Sequence, residues 1–198
     1  MRFMHDDIDI ELKGKLSDDM TDKEFFKLCT QNDNQRIERD ENGQIFIMAP
    51  VNASGSNQNF IITGELYNWR NKNNDGICFD SSAGFTLPDG SIKSPDASWV
   101  TIDKWIKLPQ NEKEEFPRIT PDFVIELKSK SDSLRYLKNK MLKWIENGCK
   151  LAWLIIPEKQ EAHIYRSNGS IEIIQGFDKK LSGENVLTGF ELDLSMLK

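Results

Sequence analysis

The chain has 198 residues, of which 29% are charged and 38% are hydrophobic, and its net charge is −6 at pH 7. This length suits one domain, the five Trp and eleven Phe exclude a disordered chain, and the acidity argues against indiscriminate nucleic-acid binding. No apolar run approaches the roughly 20 residues of a membrane span, and the charged N-terminus does not resemble a signal peptide, so we expect no membrane partner. The three cysteines are widely spaced, which favours a reducing, cytoplasmic location over a disulfide framework.

No repeat or low-complexity linker divides the chain, so we predict a single domain over residues 1–198. Its acidic lead spans about residues 1–18, and its folded part spans about 20–198. At the start of the folded part, Thr21 and Glu24 have the spacing of a capping box, which predicts a short helix from this point.

Two strands and a long helix are predicted next. The segments QRIER and QIFIMAP flank an Asn-Gly turn at Asn42, which is a strong hairpin signal. Apolar residues then recur at helical spacing and predict a helix over about Ser56–Asn71, with Ser54 or Ser56 as its N-cap. Short strand-like segments follow in the order ICFD, GFTL and SPDASWV.

The second half of the chain carries the clearest signals. The segments TPDFVIEL and LAWLII are almost continuously apolar, which is typical of buried central strands. Between them, residues Ser133–Asn147 have the apolar face of a helix, with lysines largely on the other face. The segments EAHIYR and SIEII alternate as half-buried strands. The pattern predicts an α/β (α+β) fold, with a mixed sheet, helices on both faces and antiparallel hairpins.

Three residues near the ends of predicted strands suggest a site. Asp96 follows Ser-Pro at the start of one strand, whereas Glu126 and Lys128 lie two apart at the end of another and should share a face. If the strands are neighbours, two carboxylates and an ammonium meet there. Two carboxylates, a backbone carbonyl and waters suit Mg²⁺. An ordinary surface ion pair between Glu126 and Lys128 explains their spacing equally well.

The segment 128–150 has a basic character that the rest of the chain lacks. It holds seven Lys or Arg and only two acidic residues, whereas the first fifty residues hold seven Lys or Arg against twelve Asp or Glu. Such a segment is either an anion-binding face or the solvated surface of a helix.

Several motifs occur together in one order. They are S-P-D ending at Asp96, P-D-F-V-I-E-L-K ending at Lys128, a lysine-bearing helix ending in N-G, and L-A-W-L-I-I-P. Earlier in the chain, R-I-E-R-D-E-N-G precedes an apolar strand ending in M-A-P. This order resembles the Uma-type endonuclease family, part of the PD-(D/E)XK nuclease superfamily, from about Met20 to the C-terminus.

The resemblance implies a restriction-endonuclease-like core, in which helices flank a mixed β-sheet with added β-hairpins. It implies that Asp96 and Glu126 are catalytic acids that bind the metal, with the backbone carbonyl of Leu127 as a third ligand. Lys128 would be the catalytic lysine. The implied cofactor is Mg²⁺, for which Mn²⁺ can substitute.

Three further residues have weaker assignments. Glu38 matches an acidic residue typical of the family and is an auxiliary candidate. Lys140 matches a helix lysine of the family that could touch phosphate, although a solvated lysine on the helix surface accounts for it as well. Asp122 shares the alternation phase of Glu126 but lies about 13 Å away along the strand, which favours a turn or strand-start role.

Two functional classes follow from these observations. The leading hypothesis is a Mg²⁺-dependent endonuclease that hydrolyses phosphodiester bonds of DNA, with hydrolysis of another phosphoester as a weaker variant. The alternative is a non-catalytic binding or interaction protein on the same fold. We also expect that hydrophobic hairpins near the C-terminus could pair two copies as a homodimer.

Overall fold

The computed structural model describes residues 2–5, 8–11, 14 and 20–198. Part of the predicted acidic lead lies outside these residues. The helices are, in chain order, α1 (Asp22–Gln31), α2 (Ala53–Asn73), α3 (Ile102–Trp105), α4 (Gln110–Lys113) and α5 (Leu134–Glu146). The strands are β1 (Arg2–His5), β2 (Ile8–Glu11), β3 (Arg36–Arg39), β4 (Ile45–Met48), β5 (Gly76–Phe79), β6 (Phe85–Thr86), β7 (Ile92–Lys93), β8 (Ala97–Thr101), β9 (Phe123–Leu127), β10 (Leu151–Ile156), β11 (Glu161–Arg166), β12 (Ile171–Gln175), β13 (Lys180–Ser182) and β14 (Glu191–Asp193).

A mixed six-stranded sheet forms the centre, in the order β12-β11-β10-β9-β8-β5. Strands β9 and β10 are parallel, and each other neighbouring pair in this sheet is antiparallel. A parallel pair needs a crossover connection, and α5 provides it. The predicted strand–helix–strand core is therefore confirmed.

The predicted hairpin around Asn42 forms, but it does not join the central sheet. Strands β3 and β4 belong to a separate four-stranded sheet, in the order β4-β3-β7-β6. The sequence analysis did not predict β1 and β2, which pair antiparallel within the stretch that it described only as an acidic lead. It also did not predict β7, β13 or β14, each of which has only two or three residues and is too short to leave a periodic pattern.

The helix starts depend on capping side chains. In α1 the predicted capping box between Thr21 and Glu24 is present. In α2 the predicted cap is wrong, because Asn52 Oδ1 accepts the backbone N–H of Gly55 at 3.0 Å and starts the helix three residues earlier than expected. In α5 the cap is Ser133, which accepts the N–H of Tyr136.

Both faces of the central sheet are covered. Along β9, Phe123, Ile125 and Leu127 pack into a core with α2 and the C-terminal segment. Val124 packs into the second core, which α5 supplies with buried side chains such as Trp144. Because strand side chains alternate, Glu126 belongs to the α5 face of β9. A charged side chain thus lies at the end of the central strand, between the sheet and a helix.

Candidate active site

A cleft of about 330 Å³ opens beyond the carboxyl end of β9. Its walls come from the start of α2, the start of β3, the segment before β8, the end of β9 and the start of α5. The cleft brings together five of the residues named in the sequence analysis: Asp96, Glu126, Leu127, Lys128 and Lys140. Glu38 lies beside the cleft and reaches it through Lys140.

Asp96 is fixed to the end of the central strand by both its backbone and its side chain. Its N–H donates to the carbonyl of Ile125 at 3.0 Å, and its Oδ2 accepts the N–H of Leu127 at 2.7 Å. Arg36, which the sequence analysis missed, donates to Asp96 Oδ1 at 2.8 Å and also to the carbonyl of Ser94. Because N–H and C=O of one strand residue point to the same edge, the Leu127 carbonyl faces the Asp96 side.

Glu126 is 2% exposed and has two unlike carboxylate oxygens. Its Oε1 accepts hydrogen bonds from Lys140 Nζ at 2.8 Å and from Trp144 Nε1 at 3.0 Å. Its Oε2 has no partner among the described residues. Burial raises the pKa of Glu126 to about 7, with the charges of Asp96 and Glu38 adding to the rise and Lys140 opposing it.

Glu38 is fully buried and surrounded by donors. Lys140 Nζ lies 2.7 Å from its Oε1, and the Tyr136 hydroxyl donates to its Oε2 at 3.2 Å. Burial opposes the charge on Glu38, but the cations Lys140, Lys93 and Arg36 outweigh that penalty and lower its pKa. Glu38 therefore stays ionised and anchors Lys140.

Lys140 is not the solvated surface lysine that one interpretation of the sequence favoured. Its side chain is 3% exposed, and its Nζ contacts Glu126, Glu38 and the Ser94 carbonyl within 2.9 Å. Burial disfavours its charge, but Glu126 and Glu38 outweigh burial and raise its pKa. Its position four residues before Trp144 puts both side chains on one face of α5, which was a usable signal.

Lys128 lines the cleft, but its ammonium group does not converge with the two carboxylates as expected. Its Nζ donates to the Ser129 carbonyl at 2.8 Å and lies 3.4 Å from Glu158 Oε2. The Lys128 backbone still follows the sheet, because its N–H donates to the Ile155 carbonyl of β10 at 2.8 Å, so it is the side chain that turns toward Ser129 and Glu158. The ammonium that meets Glu126 belongs to Lys140.

The basic segment 128–150 is not a continuous anion-binding face. Lys140 is buried, Lys143 pairs with Glu41 at 2.8 Å, and Lys150 pairs with Asp122 at 3.0 Å. Asp122 lies just before β9, where it accepts the N–H of Thr101. Of this segment, the lysines that line the cleft are Lys128, Lys130 and Lys140.

The donor set in the cleft fits a hard divalent cation with few protein ligands. Within residues 20–198 no group of three or more His, Cys, Asp or Glu side chains is arranged to hold a metal ion. Asp96, Glu126 and Leu127 nevertheless line the same cleft. Glu126 Oε2 has no partner, and Asp96 uses about two of its four lone-pair positions. Mg²⁺ accepts such a set because it keeps several waters.

Comparison with known proteins places this geometry in a family. The Uma2 family profile, described as "Putative restriction endonuclease", matches residues 22–195. A solved structure from Anabaena variabilis ATCC 29413, titled a "putative nuclease belonging to DUF820", superposes with a TM-score of 0.74 at 22% sequence identity. The alignment covers 90% of this chain and 97% of that one. No curated protein gives a significant match.

The solved structure shows the fold, and the family profile shows the family. The likeness confirms the expected nuclease-like mixed sheet with flanking helices. The profile spans most of the chain, including every residue that the sequence analysis assigned to the site. A nuclease function is the one supported by the family's description. The chain therefore belongs to the Uma2 family.

Proposed function

We propose that the chain is a Mg²⁺-dependent endonuclease that hydrolyses phosphodiester bonds of DNA in the cleft beyond β9. One observation carries the proposal. Asp96, Leu127 and Glu126, whose Oε2 has no partner among the described residues, line one cleft of about 330 Å³ at the end of β9.

Asp96, Glu126 and the carbonyl of Leu127 would hold the metal ion. The chemistry supplied by a bound Mg²⁺ is activation of water and neutralisation of phosphate charge, for which Mn²⁺ can substitute. Two buried polar atoms of the cleft, Arg36 Nε and Asn59 Oδ1, have no partner among the described residues. Buried polar groups are normally satisfied, so these two support a bound water or ligand in the cleft.

The other residues of the site hold and balance these groups. Arg36 orients Asp96, and Lys140 orients Glu126 while Glu38 keeps Lys140 charged. In this proposal, Lys128 supplies positive charge to the scissile phosphate. Its present partner Glu158 is 44% exposed, and such a pair is worth only about 0–1 kcal/mol, so a phosphate can displace it.

The charge of the chain sets how it would meet DNA. A net charge of −6 predicts weak binding with a marked salt dependence, because few phosphates can be neutralised by the lysines of the cleft. Cleavage is therefore expected at low salt and should fall steeply as salt is raised.

A second candidate, a non-catalytic binding protein on this fold, is favoured by one observation. Three carboxylates at the site, those of Asp96, Glu126 and Glu38, already contact the cations Arg36 and Lys140 within 3 Å. A site whose carboxylates already have cationic partners has a smaller electrostatic demand for a metal ion. Metal affinity therefore separates the two candidates.

The experiment is nicking of supercoiled plasmid at low salt with Mg²⁺ or Mn²⁺. Four proteins are compared: the wild type, Glu126→Ala, Lys128→Ala and the control Lys138→Ala, an exposed lysine of α5 outside the cleft. We expect nicking by the wild type and the control, loss in Glu126→Ala and a strong decrease in Lys128→Ala.

Other outcomes point elsewhere. Equal traces from all four proteins would mean a contaminating nuclease. If the wild type binds Mn²⁺ but leaves plasmid intact, a small phosphodiester substrate tests the weaker phosphoester variant. No cleavage together with no metal binding supports the non-catalytic candidate.

Location and assembly stay predictions. No helix in the described part of the chain is long and apolar enough to cross a membrane. The edge strand β12 carries Ile171 and Ile173, each 51% exposed and on the same face, where the expected homodimer would form. Size-exclusion chromatography with light scattering measures the assembly directly.

A further inference from the structure

The two oxygens of Glu126 differ because of donors from a single helix. Lys140 and Trp144, four residues apart on α5, both donate to Oε1. An sp² oxygen has two lone pairs, so these two donors saturate Oε1. Oε2 is left without a partner among the described residues.

The indole hydrogen bond of Trp144 differs from that of the other bonded, buried tryptophan in its acceptor, because Trp144 Nε1 donates to a carboxylate whereas Trp69 Nε1 donates to the Thr188 carbonyl at 3.0 Å. Trp144 and Trp153 are both fully buried, yet Trp153 Nε1 has no partner in the described part of the chain. The same is true of Trp99 Nε1. An indole N–H in this protein is thus not bonded merely because it is buried, and its placement against Glu126 is a specific contact.

We propose that Trp144 is a positioning residue of the active site. Its indole N–H fixes the rotation of the Glu126 carboxylate, so that Oε2 is the oxygen presented to the metal ion. This inference rests on the function proposed above. It concerns a residue that does not line the cleft and acts only through Glu126.

Trp144 also stabilises the fold through its place in the hydrophobic core, and this contribution to stability is separate from its positioning role. Its ring packs in the core with Leu137, Met141 and Leu154, so any truncation also costs stability. Trp144→Phe keeps an aromatic ring and removes the donor. Trp153→Phe is the matched control, because it removes the same atoms from an equally buried ring whose N–H has no partner.

The experiment measures metal affinity and not turnover. Mn²⁺ binding is followed by isothermal titration calorimetry in the wild type, Trp144→Phe, Trp153→Phe and Glu126→Gln, all checked for folding by circular dichroism. We expect about tenfold weaker binding in Trp144→Phe, the usual effect of losing an outer hydrogen bond to a metal ligand. Trp153→Phe should stay within about twofold of the wild type.

A spectroscopic measurement keeps the proposal testable even if Trp144→Phe folds poorly. The five tryptophans give separate indole ¹H–¹⁵N signals, assigned through the Trp→Phe variants. Addition of Mg²⁺ to the wild type should move the Trp144 signal more than the Trp153 signal, and Glu126→Gln alone should move it as well.

The outcomes separate the two proposals. The positioning role is overturned if Trp144→Phe binds Mn²⁺ with unchanged affinity, or if the indole signal of Trp144 does not shift on addition of Mg²⁺. Either result leaves the proposed metal site intact. If Glu126→Gln itself binds Mn²⁺ like the wild type, the metal site proposed for the endonuclease is wrong, and the positioning role falls with it.

Discussion

The two ends of β9 carry buried acids with opposite properties. Asp122 precedes the strand and Glu126 lies near its other end, four residues later, and both are shielded from solvent. The pKa of Asp122 is lowered, whereas that of Glu126 is raised to about 7. Burial alone therefore does not decide whether a carboxylate stays charged.

Their partners explain the difference. Burial opposes the charge of Asp122 too, but the N–H of Thr101 and the ammonium groups of Lys104 and Lys150, 2.9 and 3.0 Å from its Oδ1, more than offset it. Glu126 has to share Lys140 with Glu38. One end of the strand carries an acid whose charge is paired with two lysines, which makes it a structural anchor, and the other end carries an acid short of positive charge.

The largest effect is expected for Glu126→Gln. This change removes a charged metal-binding oxygen and keeps the shape of the side chain. We expect cleavage to fall at least about 1,000-fold, which corresponds to about 4 kcal/mol of transition-state stabilisation. Thermal stability at pH 8 should be unchanged or higher, since a poorly compensated buried charge is lost. Plasmid nicking rates and thermal melts of the same samples measure both quantities.

If Glu126→Gln loses both its fold and its cleavage activity, the contrast between Glu126 and Asp122 is wrong. It would mean that Glu126 anchors the fold as Asp122 does. Lys138→Ala serves as the folded and active reference for both measurements.

Asp122→Asn should show the reverse pattern. The amide weakens three interactions at once, and we expect a loss of about 2 kcal/mol in unfolding free energy, because hydrogen bonds to charged groups contribute about that much. For a chain of this size the melting temperature falls by roughly 6 °C. Cleavage per folded molecule should stay within about threefold of the wild type.

An exposed acid gives the matched control for that variant. Asp33→Asn removes the same charge at a position without a hydrogen bond or ion pair among the described residues, and should melt like the wild type. Loss of cleavage in folded Asp122→Asn would show that both ends of β9 belong to the active site.

The sequence predicted the position of Glu126 on its strand better than it predicted the residues that contact its carboxylate. The apolar runs of β9 and β10 and the periodicity of α5 are local patterns, so Glu126 could be placed at the end of a buried strand, whereas the strand that follows Asp96 was a neighbour only by assumption. The partners of Glu126 depend on how α5 packs against the sheet. That packing buries Lys140 against the sheet, and the local pattern indicates only that Lys140 shares a face of α5 with Trp144.

Arg36 was missed, although its spacing from the auxiliary candidate Glu38 was a signal. Arg36 and Glu38 lie two apart on β3 and so share a face, which leads toward the cleft. The direction of the Lys128 side chain could not be predicted, because it depends on the position of Glu158, thirty residues further along the chain.

Opposite pKa shifts predict opposite pH dependence of stability. For Glu126 the pKa in the folded protein, about 7, lies above the ordinary 4.5. Its contribution to the free energy of unfolding is therefore complete below pH 4.5 and is lost as pH rises through 7. For Asp122 the pKa in the folded protein lies below the ordinary 3.8. Its contribution to the free energy of unfolding is therefore present above pH 3.8 and is lost as pH falls below it.

Urea unfolding at pH 5 and pH 8 tests the Glu126 side. Wild type and Asp122→Asn should both lose stability toward pH 8, by an amount of order 1–3 kcal/mol, whereas Glu126→Gln should lose less. At pH 3 the difference in unfolding free energy between the wild type and Asp122→Asn should become smaller. Parallel curves for all three proteins would show that neither acid has a shifted pKa.

The smallest effect is expected at the exposed cations of the anchor. Lys150 has a side chain that is 52% exposed, and its ion pair with Asp122 is therefore screened by water. Lys150→Gln should cost about 0.5 kcal/mol at low ionic strength, and less than that in 1 M NaCl. The exposed Lys138→Gln, measured beside it, should cost nothing in either condition. A large loss of unfolding free energy in Lys150→Gln that does not depend on salt would mean that Asp122 depends on Lys150 as strongly as Glu126 depends on Lys140. The two ends of β9 would then differ only in the number of acids that share each cation.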